Sequence, residues 1–250
     1  MIKYSIIICF SFISYLNAQN FEIQYSAELR QELSEEIKEE MMKAGEYGRE
    51  QVKMNEEPEA ATYKMLISGK ESSFTYIEKI SNEQDPDKPV IKHAPAGFGT
   101  TYHNLTDSVT MKDFVVYDRK YHSLDPLKNW NWTITTETKE IMGYTLKKAT
   151  AETETEIINV WYAPKIPIAH GPADYWGLPG LIFDIESRHK QYPVIIKYYA
   201  DSIKKLKNNP KINKPNQGEL IRAEEIDAIF QEANEKRNQM WNNEQGIDKD

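Results

Sequence analysis

Trp176-Gly177-Leu178-Pro179-Gly180-Leu181-Ile182 is the stretch from which the fold is read. Proline holds φ at about −65° and glycine tolerates positive φ, so Pro179-Gly180 predicts a turn. The residues after it, Leu181-Ile182-Phe183-Asp184-Ile185-Glu186, read as a strand. Apolar residues flank the turn on both sides, so the corner is expected to be buried and Gly180 to sit in a strained conformation. Upstream, Pro164, Pro167, Pro172 and Pro179 would each forfeit a ladder hydrogen bond in a central strand. Residues 163–179 are therefore expected to form a stiff apolar loop. It either plugs one end of a sheet or offers a docking surface, because a rigid loop loses little entropy on binding.

Outward from this corner the chain reads as short strands. Residues 21–29 alternate apolar and polar at every step, the mark of a half-buried strand. Further strands are expected at 62–68 and 72–79, joined through Gly69-Lys70, and at 100–104, 109–117, 144–150, 157–162, 181–186 and 194–200. In residues 130–135, Trp130, Trp132 and Ile134 share one face. Leu33, Ile37, Met41 and Ala44 give residues 30–54 a narrow apolar stripe, so a helix follows the first strand and ends before Pro58. Residues 82–99, rich in proline and glycine, predict a loop. These patterns predict an α+β fold: a curved antiparallel meander sheet, an N-terminal helix after the first strand and a C-terminal helix. A single domain would occupy residues 19–207 and a basic linker 208–218. The last helix would span 219–241, ahead of a disordered polar tail at 242–250.

Residues 1–18 read as a signal peptide: Lys3, a short apolar core and Ala18 before a cleavage point. Cleavage there predicts an exported chain starting at Gln19, periplasmic or associated with the outer membrane. It also removes Cys9, the only cysteine, and with it any disulfide or thiol chemistry. No other apolar run is long enough to span a bilayer, so no transmembrane segment is expected after cleavage. The net charge of −8 argues against nucleic-acid binding and against anionic membrane surfaces.

Aromatic residues are the first candidate for function. Trp130, Trp132, Trp161, Tyr162, Tyr175 and Trp176 crowd the central region. They either line a cavity for an apolar or peptide-like ligand or pack as sheet core. His93, His103, His122, His170 and His189 are scattered, with none of the local spacings of a metal site. No metal or cofactor is expected on that ground, although His103, His122 and His170 could assemble from distant strands. His170, before Gly171-Pro172, is expected to hydrogen-bond a turn. There is no GxSxG or SxxK nucleophile motif. Glu152, Glu154 and Glu156 read as a solvated hairpin tip, with a weak pull on cationic ligands.

Gly177, Leu178, Pro179, Gly180, Leu181 and Ile182 spell the motif of the GLPGLI family of secreted bacterial proteins, which this chain resembles over residues 118–186. The resemblance includes Trp130-x-Trp132, Glu137 to Tyr144, Lys147-Lys148-Ala149 and Val160 to Pro172, with Gly171 and Pro172 as structural positions. Leu146 stands where members often carry a cysteine. The family lacks an assigned activity; the resemblance implies an envelope protein, often encoded near TonB-dependent receptors. Together these features predict a non-catalytic binding or accessory protein of the Gram-negative envelope. It would hold a hydrophobic or peptide-like ligand, or assist a TonB-dependent outer-membrane receptor. The alternative is an envelope metalloprotein or hydrolase with a composite His/carboxylate site.

Overall fold

Alternation at residues 21–29 produces β1 (Asn20–Gln31), and this strand sits mid-sheet. The computed structural model describes residues 19–78, 94–116 and 119–245. Residues 1–18, read as a signal peptide, most of the loop read at 82–99 and residues 246–250 lie outside the described residues. After β1 come α1 (Glu35–Lys43), capped by the Ser34 hydroxyl accepting from the Ile37 N–H, and α2 (Glu46–Glu56). Gly45, at φ 98°, separates the two helices. Six strands follow: β2 (Ala61–Ser68), β3 (Glu71–Ile77), β4 (Thr100–Asn104), β5 (Val109–Val116), β6 (Arg119–Pro126) and β7 (Thr133–Ile141). Then come β8 (Tyr144–Glu152), β9 (Glu156–Ala163), β10 (Leu181–His189), β11 (Val194–Lys205) and the short β12 (Glu219–Ile221). After β12 the chain ends in α3 (Ile226–Gln245).

The expected α+β class with a meander sheet is overturned. The twelve strands among the described residues form one open mixed sheet, ordered β12-β6-β5-β4-β3-β2-β1-β11-β10-β9-β8-β7. Its pairs are antiparallel except β12, which lies parallel to β6. Two runs of sequential neighbours, β1 to β6 and β7 to β11, meet at the β1–β11 seam. The helices are marginal. α1 buries no residue, and α2 buries only Gly48 and Val52. Ile37, on the stripe that predicted a packed helix, remains 47 % exposed. The fold is therefore largely β. The helix expected over 219–241 begins later, because Glu219–Ile221 is drawn into the sheet edge as β12.

The sheet supplies its own core. Tyr25, Tyr63, Phe74 and Tyr198 come from four different strands, and their rings meet. Tyr63 and Phe74 stack at 4.6 Å, 9° from parallel. Phe74 on β3 and Tyr198 on β11 are three strand steps apart, roughly 14 Å along a flat sheet. Their centroids lie 6.3 Å apart, so the sheet rolls inward over this face. Ile23, Met65, Ile158, Val160 and Ile185 complete the interior. The rest of the cover comes from residues 164–180. In this loop Ile166, Ile168, His170, Gly171, Tyr175, Leu178 and Gly180 are all buried.

Candidate functional site

The buried loop between β9 and β10 builds the site. Its backbone is satisfied internally: Leu181 N–H donates to the Ile166 carbonyl, Ile182 N–H to His170, and Gly177 N–H to Ala169. The Tyr25 hydroxyl reaches in from β1 to donate to the Ile182 carbonyl at 2.5 Å. Gly180 is not at positive φ; Gly177 is, at 94°, with Ala173 at 50°. What Gly180 provides is absence of bulk, since a Cβ there would run into the Ala163 carbonyl. Gly171 likewise packs against Ile182 and the Tyr175 carbonyl. Leu178 and Gly180 are buried while Gly177 and Pro179 are exposed, so the corner is packed on its inner side only.

Three indoles clasp this loop to residues 128–132. Trp130 Nε1 donates to the Asp174 carbonyl at 2.9 Å and Trp132 Nε1 to the Trp176 carbonyl at 2.8 Å. Trp176 Nε1 returns a bond to the Lys128 carbonyl at 2.8 Å. Trp130 stacks between Trp132 and Tyr175, at 5.4 and 5.0 Å. Two of the expected ligand-binding tryptophans thus use their faces on each other. Trp130 and Trp132 precede β7 rather than lying in it. Trp161 lies elsewhere, half-buried on β9, with the Lys139 ammonium 4.4 Å from its ring centroid. Tyr162 is a core residue.

Beside the clasp opens a cleft of about 320 Å³. Its walls include Phe114, Trp130, Tyr175, Ile196 and Tyr198, and its charged groups are Lys112, Asp113, Lys128, Glu156 and Asp174. Lys112 on β5 pairs with Asp174 of the loop at 2.6 Å, both partly exposed. The Asp113 carboxylate accepts from the Thr100 N–H. The Lys128 ammonium lies 4.1 Å from the Trp130 ring centroid. The Tyr63 hydroxyl fixes the opposite rim, accepting from Ala96 N–H and donating to the Gly97 carbonyl.

Behind the cleft lie two buried histidines. His170 Nε2 faces the Gly69 carbonyl at 3.3 Å, in the β2–β3 turn, so its expected turn contact is made across the molecule. Its Nδ1 has no hydrogen-bond partner. Desolvation pushes this imidazole down to about 3, and the neighbouring His103 adds to the fall. His103 on β4 falls to about 4, because desolvation outweighs the attraction of Asp174. His122 stands apart at the sheet edge, its Nδ1 3.2 Å from the Gln217 carbonyl. Among the described residues no three His, Cys, Asp or Glu side chains are grouped to hold a metal. Lys112 and Asp174, central to the cleft, carried no sequence signal. They lie 62 positions apart and meet only through the sheet's roll.

The family described as "Protein of unknown function (Porph_ging)" matches residues 151–184, which span the end of β8, β9, the buried loop and the start of β10. This supports kinship with a family of unknown function over that segment; the finer likeness to the GLPGLI family is not established by it. No curated protein matches the chain. Among solved structures, two of PNGF-II, in space groups P21 and C2, are similar at TM-scores of 0.52 and 0.51. They are 17 % and 18 % identical and align with 86 % of this chain. The chain spans only 34 % and 33 % of their length, and the likeness is one of fold. A DUF1329 family protein from Desulfovibrio piger ATCC 29098 aligns over 76 % of this chain and 86 % of its own, at 7 % identity and a TM-score of 0.20. No helix among the described residues is long and apolar enough to cross a membrane.

Proposed function

We propose that this chain is an exported, non-catalytic binding protein of the cell envelope, and that it holds a peptide-like ligand in the cleft beside the tryptophan clasp. The observation that carries the reading is the make-up of the cleft. Aromatic walls supply apolar contact, while the partly exposed Lys112–Asp174 pair offers one donor and one acceptor side by side. A peptide backbone presents the complementary pair, a carbonyl and an amide, at every residue. The buried, internally hydrogen-bonded loop keeps one wall pre-ordered, which lowers the entropic cost of binding. The leader-like residues 1–18 support export. An accessory role beside a TonB-dependent receptor, implied by the family resemblance, is the setting in which such a module would act.

The experiment is a titration of the purified chain with short blocked peptides, followed by protein-observed NMR. Shifts should localise to Lys112, Phe114 and Asp174. Phe114→Ala, which removes one wall of the cleft, should weaken binding about fivefold or more. Binding that ignores this change, or shifts confined to other parts of the sheet, would overturn the reading.

A further inference from the structure

On β9 one carboxylate occupies a register that otherwise belongs to the core. Ile158, Val160 and Tyr162 are buried on the interior face, and Glu156, two residues earlier, continues that face to the mouth of the cleft. The turn at 153–155 produces this placement. Glu152 ends β8 facing outward and pairs with Lys190 at 2.7 Å, and Glu154 stays exposed in the turn. Thr153 then accepts from the Glu156 N–H, and the strand restarts on the opposite face. Sequence alternation puts all three glutamates together; the structure separates Glu156 from the other two.

The other charged groups of the cleft already have partners. Asp174 is held by Lys112, Asp113 by the Thr100 amide, and Lys128 lies over Trp130. The Glu156 carboxylate has neither a hydrogen-bond nor an ion-pair partner among the described residues. It shares the cleft with the rings of Tyr175 and Tyr198, which meet edge to face at 6.1 Å. Burial raises both phenols; a hydrogen bond with Ser187 offsets part of this at Tyr175, and the charge of Glu156 adds a small push at both, the smallest of the causes at Tyr198.

Building on the peptide-holding reading above, we propose that the cleft selects a basic side chain: the ammonium or guanidinium of a lysine or arginine in the bound peptide, held between Glu156 and the Tyr175 and Tyr198 rings. A carboxylate beside aromatic rings meets both needs of an organic cation, a counter-charge and a quadrupole. The Lys112–Asp174 pair then receives the adjoining backbone. The chain already shows the same chemistry at the rim, where Lys128 lies over Trp130.

The test compares Ac-Gly-Lys-Gly-NH2 with its norleucine analogue, which keeps the stem and lacks the charge, and with n-butylamine, which keeps the charge and lacks the backbone. Calorimetry or NMR titration should show the lysine peptide binding at least about tenfold tighter than either. Glu156→Gln should erase the lysine preference without lowering the melting temperature. Should that variant prove unstable, the native chain answers the question alone: the preference must shrink from low to high salt. Equal binding of the lysine and norleucine peptides would overturn the cation assignment and leave the peptide-holding reading intact. Butylamine binding as tightly as the lysine peptide would overturn the peptide part. Failure of both peptides to bind would overturn both readings.

Discussion

A methyl group on Gly180 has nowhere to go. The Ala163 carbonyl occupies the space it would need, and that carbonyl is held by the Ile166 N–H of the buried loop. Gly180→Ala should therefore destabilise the fold by about 1–3 kcal/mol, the range of overpacking, read as a lower urea midpoint. An unchanged midpoint would show that the loop yields. The dipeptide Pro179-Gly180 marks a bend of the chain, without saying which glycine bears the unusual conformation. Positive φ falls on Gly177, and steric exclusion leaves no mark in a sequence.

His103 and His170 give the residue scale a second prediction. Both are neutral in the folded chain well below the pH at which an unfolded imidazole takes its proton, about 6.5. Above that pH they contribute no pH dependence. As pH falls below it, the unfolded chain binds protons that the folded chain excludes, so stability drops. Two such sites give a slope of up to about 2.7 kcal/mol per pH unit. The slope eases near pH 4, where His103 begins to titrate in the fold. Urea midpoints should match at pH 8 and 7 and fall between pH 6 and 5. A flat profile across pH 6 to 5 would refute the buried neutral pair.

At the scale of elements, the clasp is the feature with the clearest consequence. Trp132→Phe keeps a smaller aromatic ring but removes the donor to the Trp176 carbonyl, leaving a half-buried acceptor unpaired. A loss of about 1 kcal/mol is expected. The Gly177 amide, bonded to the Ala169 carbonyl, should exchange its hydrogen faster, whereas Trp161→Phe, outside the clasp, should leave that amide unchanged. Equal exchange in both variants would show that the indole bond does not hold the loop. Elements with strong alternation, such as residues 21–29 and 157–162, were legible. Met142 and Gly143, at φ 53° and 77°, turn β7 into β8. β6, Arg119–Pro126, was not legible, because Arg, Lys, Asp and Pro dilute its pattern and its pairing with β5 is non-hydrophobic at several positions. β12 was hidden inside a helix-like, glutamate-rich run and exists only because β6 offers it an edge.

For the whole molecule, an apolar stripe was enough to predict helices but not what they cover. Ile37 and its neighbours form α1, yet the sheet closes over its own rings and the β9–β10 loop, so the helices are left at the margin. The cleft was legible only in part. The aromatic excess marked its neighbourhood, but Lys112, Asp174 and Glu156 come from separate elements, and no local spacing joins them. The proposed export makes a separate prediction at this scale. The intact mass of the chain recovered from the envelope should begin at Gln19; retention of Met1, or a lipid on Cys9, would refute cleavage after Ala18.

The β1–β11 seam also governs how the chain reaches this state. β1 to β6 and β7 to β11 can each zip between sequential neighbours, but the seam must join Phe21 to Lys205. Closing so long a loop delays that step far beyond the hairpins. During synthesis, the 12 residues of β1 emerge ahead of the other strands and their second partner arrives almost last. Until then the future centre of the sheet is a bare edge, open to any other extended chain. The slowest pairing expected on this topology is thus one late stitch, whatever the number of strands.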